Sequence, residues 1–232
     1  MSGIQQKLII ENQWIKFDRF GYEGLAEVIA YRFSKLIKSK LTFLEYNPIY
    51  INHQVGCVSL DANKRGMKLI SLLELFMDVK SKPSENELID YYIPQIIKIT
   101  HLRDFGEWMT DLFLFDMLIE NEDRNAGNIL LYKGENGYEY APIMDNANSL
   151  LYRLKTCNNN ISIPTIAKPL LISHEEQCKL MIRNYNTDFG LIDNKVFISD
   201  LFNYYSKSEI EQACQCLKNN TLRYFGILLD FV

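Results

Sequence analysis

Asp116-Met-Leu-Ile-Glu-Asn-Glu-Asp123-Arg124-Asn125-Ala-Gly-Asn128 runs through the middle of the chain, and Met144-Asp145-Asn146 follows it. An Asp and an Asn five apart, then a second Asp beyond a short hairpin, is the spacing with which phosphotransferases collect a base and two metal ligands. Phosphoryl transfer needs a carboxylate that accepts the hydroxyl proton, and oxygen ligands for a divalent ion that neutralises phosphate oxygens. Asp123 is the candidate base, and Asn128 and Asp145 are the candidate metal ligands. Asp, Asn and Gly also populate turns for purely local reasons. Here the three residues flank a helix, a loop and a hairpin in the right order, and that order carries the reading.

Upstream of the loop, residues 104–120 contain Phe105, Trp108, Met109, Leu112, Phe113, Phe115, Leu118 and Ile119, the signature of a strongly apolar helix. Downstream, Ile129–Tyr132 and Tyr138–Ile143 predict two strands joined across Asn136-Gly137, a hairpin turn. Toward the N-terminus, residues 7–17 read as two strands around Glu11-Asn12. Residues 22–38 show helical apolar spacing, and residues 43–60 look extended again. Asp61–Gly66 breaks the pattern as a linker. Ser84 with Glu87, Ser173 with Glu176 and Ser206 with Glu209 each fit a capping box, so the second part is expected to be mainly helical. The polar run Asn158-Asn159-Asn160 reads as a surface loop.

A nucleotide site needs a strand Lys for the phosphates and a helical Glu to hold it. Lys16, between apolar neighbours in Trp14-Ile15-Lys16-Phe17, and Glu27 on the following helix stand in the right order. Glu23 is a rival for the Glu27 role, or else a residue favouring the helix N-terminus. Arg124 beside the base reads as an ion-pair partner behind the site, with contact to acidic substrate groups as the alternative.

Composition narrows the class. The 232 residues suffice for one large domain or two packed lobes, and 47% hydrophobic with 23% charged residues is a globular balance. A net charge of −4 without a basic run argues against direct nucleic-acid binding. No apolar run approaches the roughly 18–20 residues that span a bilayer, and the N-terminus lacks a signal-peptide core. Five irregularly spaced cysteines argue for a reducing compartment rather than a disulfide framework. The three histidines are isolated from cysteine, which argues against zinc.

Ser2-Gly3-Ile4-Gln5-Gln6-Lys7, Ile15-Lys16, Asn121-Glu-Asp123-Arg124-Asn125-Ala-Gly-Asn128 and Ala141-Pro142-Ile143-Met144-Asp145 together resemble the HipA-like serine/threonine kinase family, in its smaller cell-translocating kinase A-type variant. The resemblance covers residues 2–150. It implies an α+β, protein-kinase-like two-lobed fold, with a small strand-rich N-lobe holding one helix (1–65) and a larger, mainly helical C-lobe (66–232). It also implies that Ser2, Gly3, Ile4, Gln5 and Lys7 cover ATP, that ATP and Mg2+ are the cofactors, and that a protein Ser or Thr hydroxyl is phosphorylated. Where the family has His after Asp-Arg, this chain has Asn125. The chain begins at the phosphate loop, so the N-terminal subdomain of longer HipA proteins is expected to be absent or separately encoded. Such a subdomain, or an antitoxin-like repressor of a toxin-antitoxin system, is an expected partner. The expected location is cytoplasmic, with non-classical export as an effector the alternative. Two other functional classes stand beside the protein kinase: a pseudokinase or regulatory binding module, and a lipid or small-molecule kinase, since the Asp-Arg-x-x-x-Asn loop also resembles that of phosphoinositide kinases. Lys35, Lys38 and Lys40 are a basic patch for an anionic membrane or, as the preferred reading, the solvated end of a helix.

Overall fold

The computed structural model describes residues 7–19, 21–75, 84–151 and 166–232. Ser2, Gly3, Ile4 and Gln5 lie outside the described residues, as does the run 158–160. Strands β1 (Lys7–Ile10), β2 (Gln13–Phe17), β4 (Asn47–Ile51) and β5 (Gln54–Leu60) form an antiparallel sheet in the order β1-β2-β5-β4. Between β2 and β4 come α1 (Glu23–Ser34) and the two-residue strand β3 (Ile37–Lys38). Glu11 takes a left-handed backbone at the β1–β2 turn. At Gly56, opposite Phe17 in β2, a Cβ would sit 2.0 Å from the Lys16 carbonyl oxygen, so no side chain fits there.

The apolar spacing predicts a helix over 22–38, but α1 ends at Ser34. Lys35 and Leu36 donate to Arg32 and Phe33, a tightening of the last turn, and Ile37–Lys38 then pair with β11 (Gly190–Leu191). The apolar run thus continues through a buried strand, which periodicity alone does not separate from helix. Helix α1 is held from several sides. Arg32 makes a bidentate pair with Asp200 at 2.7 Å, and Tyr22, immediately before the helix, donates to the Leu150 carbonyl.

Beyond the linker, β6 (Lys68–Ser71) precedes the short α2 (Leu72–Leu75). A π-helical segment, Glu87–Tyr92, leads into α3 (Ile93–Thr100) and then α4 (Phe105–Ile119). Almost every α4 residue is buried, because the helix runs through the core against α5 (His174–Asn184) and α6 (Lys207–Phe225). Strands β7 (Leu130–Gly134) and β8 (Gly137–Tyr140) form the expected hairpin, shorter at its far end than predicted because the chain leaves the ladder after Tyr140. β6 pairs with β7 to complete a three-stranded sheet. The predicted capping boxes close at Ser84, Ser173 and Ser206. Small ladders join β9 (Ile166–Ala167) to β10 (Ile172–Ser173) and β12 (Lys195–Val196) to β13 (Asp230–Phe231). Among the described residues, no helix is long and apolar enough to cross a membrane.

Two buried groups give stability opposite dependences on pH. His174, the first residue of α5, is 5% exposed, neither ring nitrogen has a hydrogen-bond partner among the described residues, and burial lowers its pKa to about 4. The unfolded chain then binds the extra proton between the ordinary histidine value and 4, so this stability is lost as pH falls through that window. Burial raises Asp18 to about 7, so the folded chain holds that proton and its contribution is lost as pH rises toward 7. In the parent protein the two partly cancel. His174→Leu should therefore be stabilised relative to the parent at pH 5 compared with pH 8, by about 2 kcal/mol. Urea unfolding at both pH values reads this difference, and an equal parent–variant gap at both would refute it.

Candidate active site

Lys16 projects from β2 on the face turned toward α1 and the loop after β8. Its ammonium lies 2.6 Å from Glu27 Oε1, 2.7 Å from Asp145 Oδ1 and 3.2 Å from the Tyr46 hydroxyl. Burial opposes the charge on Lys16, but the neighbouring anions, Glu27 foremost, hold its pKa above the ordinary lysine value. The Lys16 ammonium in turn draws Asp145 down to about 2, against the effect of burial. Both groups are therefore charged at neutral pH. The second oxygen of Glu27 accepts from the Asn146 backbone N–H at 2.8 Å, so this carboxylate ties β2 to the loop carrying Asp145. Glu23, the rival, instead accepts from the backbone of Arg19 and Gly21 in front of α1.

Lys7 stands directly opposite Lys16 in the β1–β2 register, on the same face of the sheet. Like charges in that position repel. Attraction between Lys7 and Asp145 offsets some of the repulsion, and a polyanion on this face would offset more.

Arg124 organises the opposite side. It is buried, and its guanidinium grips the two oxygens of Asp116 on α4 at 2.9 and 3.0 Å. It also donates to the carbonyls of Asn128 and Met144 and, at 2.6 Å, to Asn146 Oδ1. One side chain thereby sets α4, the 121–128 loop and the Asp145 loop against each other, through an ion pair from the loop to α4. Asp145 itself has a left-handed backbone, an uncommon conformation in which Asp is enriched. Within the loop, Asn128 Nδ2 donates to the Asp123 carbonyl at 2.8 Å. Asn125 Nδ2 donates to Asp123 Oδ1, while its own oxygen receives the Gly127 N–H. The Asn125 amide thus braces the loop.

Among the described residues, no three His, Cys, Asp or Glu side chains gather into a metal cluster. The candidate donors are one carboxylate, Asp145, and the amide oxygen of Asn128, whose nitrogen is already committed. Hard oxygen donors in small number suit Mg2+, which keeps waters and takes substrate phosphates as its remaining ligands. The residues present therefore fit such an ion.

Sequence reasoning missed two partners of Asp123. Asn148 Nδ2 donates to its Oδ2 at 3.1 Å, and the Lys168 ammonium lies 2.5 Å from its Oδ1. Asn148 was signalled only by its closeness to Asp145. Lys168 had no local signal, since it arrives from the β9–β10 turn. Tyr46 was likewise unmarked by any motif.

No protein-family model matches the chain, and comparison with curated protein sequences finds no match. Solved structures do match. The Helicobacter pylori proinflammatory kinase CtkA superposes with a TM-score of 0.60 at 14% identity, covering 95% of this chain and 88% of its own. HipA of Shewanella oneidensis MR-1, solved with HipB and operator DNA, superposes with a TM-score of 0.61 at 12% identity, covering 97% of this chain. The chain spans 65% of that HipA structure's length. At such identities the likeness concerns the backbone, and what it shows is that this chain has the HipA-like kinase fold.

Proposed function

We propose that the protein is an ATP- and Mg2+-dependent serine/threonine protein kinase with Asp123 as its base. The observation that carries this reading is that Arg124 donates both to the Asn128 carbonyl, in the loop of Asp123, and to the Met144 carbonyl beside Asp145, whose loop Lys16 and Glu27 hold from β2 and α1. Lys16, fixed by Glu27, holds the phosphates of ATP, with Lys7 beside it on the sheet. Asn128 and Asp145 hold the metal ion, which neutralises phosphate charge when bound. Asp123 receives the proton of the acceptor hydroxyl and orients its oxygen for attack. Asn125 and Asn148 keep that carboxylate in place.

The lipid-kinase alternative gains nothing from the basic residues near the end of α1. Lys40 pairs with Asp104 and Glu107, Lys38 lies within 3.9 Å of Asp188, and Lys35 covers the Tyr31 ring. The carboxylates beside Lys40 and Lys38 offset part of the charge that would draw the surface to anionic lipid.

Incubation with γ-labelled ATP, Mg2+ and a mixed protein acceptor, followed by mass spectrometry, tests the proposal. Phosphoserine or phosphothreonine should form on the acceptor or on the chain itself, and chelation of Mg2+ should abolish it. Tight ATP binding with no transfer to any hydroxyl would instead identify a pseudokinase.

A further inference from the structure

We propose that Lys168 is a catalytic residue that contacts the transferring phosphoryl group, a role that rests on the kinase reading above. Its ammonium touches Asp123 Oδ1, and the two side chains are 40% and 30% exposed, so the pair faces the open side of the site. An ion pair this exposed contributes little to stability. Nor does Asp123 need it for orientation, because Asn125 and Asn148 already donate to its two oxygens.

The chain nevertheless holds Lys168 firmly. Its backbone carbonyl accepts from Nε2 of the buried Gln177 on α5, whose Oε1 accepts from the Leu170 N–H. Leu171 donates to the Ala167 carbonyl, closing the β9–β10 turn, and the Ser173 capping box fixes the start of α5 immediately beyond. A long cationic side chain is thus presented on a braced turn to the candidate base. Among the described residues, Lys16 and Lys7 stand on the nucleotide side of the site and Arg124 is committed to Asp116.

The acceptor hydroxyl bound by Asp123 must meet the γ-phosphorus of ATP within bonding reach of that carboxylate. A cation touching the carboxylate is therefore also within reach of the phosphoryl oxygens. As the acceptor oxygen–phosphorus bond forms, the bond from phosphorus to the β,γ-bridging oxygen breaks and ADP leaves with that electron pair. The acceptor proton passes to Asp123, whose carboxylate becomes neutral and loosens its hold on Lys168. The ammonium keeps its own proton and turns to the phosphoryl oxygens, where it stabilises charge spread over them in the transition state.

Lys168→Met, with Lys168→Arg as the charge-retaining control, tests the assignment by transfer rate and by the ratio of ATP to ADP affinity measured calorimetrically. Lys168→Met should transfer about 10²-fold more slowly, lose preference for ATP over ADP, and keep ADP affinity and thermal midpoint. Lys168→Arg should recover part of both. Transfer within twofold of the parent together with an unchanged ATP-to-ADP ratio overturns the Lys168 proposal and leaves the kinase reading standing. A parent that binds ATP without transferring, but loses its ATP preference in Lys168→Met, overturns the kinase reading and upholds Lys168 as a γ-phosphate contact.

Discussion

Asp123→Asn is expected to lower phosphate transfer by about 10²–10⁴-fold, the span a positioned general base commands. Asparagine keeps the shape of the side chain and an oxygen able to accept from Asn125 or Asn148, so the loop should stay in place. It gives up the ability to take the acceptor proton and the attraction for Lys168. Asp123 is well separated in role from Lys16, Glu27 and Asp145, which carry the nucleotide side. ATP affinity should therefore change by no more than a few-fold, and the thermal midpoint should stay near that of the parent. The parent and variant should be compared in one assay, with single-turnover transfer read beside ATP binding. A variant that transfers within tenfold of the parent rate would remove Asp123 from the base role, whatever its position in the fold.

The parts of this site that sequence made legible are those whose geometry is set locally. Asp123 and Asn128 share one loop, and a five-residue spacing places the Asn128 amide on the Asp123 carbonyl. Asp145 follows from the hairpin, because β7 and β8 return the chain to the point where Arg124 meets the Met144 carbonyl. Lys16 and Glu27 were legible through order alone: a charged residue amid apolar strand neighbours needs a partner, and the next helix supplied it. Lys168 was not legible, since nothing in the neighbouring residues shows that the β9–β10 turn reaches Asp123. The end of α1 was misread for a different reason. Leu36 and Ile37 are buried and continue the helical spacing, but Ile37 does so as a strand residue beside Leu191. Tertiary pairing decided what a short apolar run could not.

Arg124→Met should be the most damaging single change to the fold, by about 3–5 kcal/mol. Arg124 and Asp116 are each 1% exposed, and a methionine would leave the Asp116 carboxylate buried with Asn121 as its one remaining polar side-chain partner among the described residues. Burial alone already pushes the Asp116 carboxyl upward, against the pull of Arg124. The Met144 carbonyl and Asn146 side chain would lose their donor as well, so the Asp145 loop should loosen and transfer should fall together with stability. For a domain of this size the loss corresponds to a drop in thermal midpoint of roughly 10 °C. Arg124→Lys should rescue only in part, because a single ammonium cannot grip both Asp116 oxygens while reaching Asn146. Pairing Arg124→Met with Asp116→Asn distinguishes an uncompensated charge from lost packing. The double variant should be more stable than Arg124→Met alone, since the buried carboxylate that made the single change costly is then neutral. Equal or lower stability of the double variant would show that the guanidinium matters through its carbonyl and amide contacts rather than through Asp116. A midpoint within 2 °C of the parent for Arg124→Met, a span taken from the same scaling, would mean that Arg124 does not hold these three segments together.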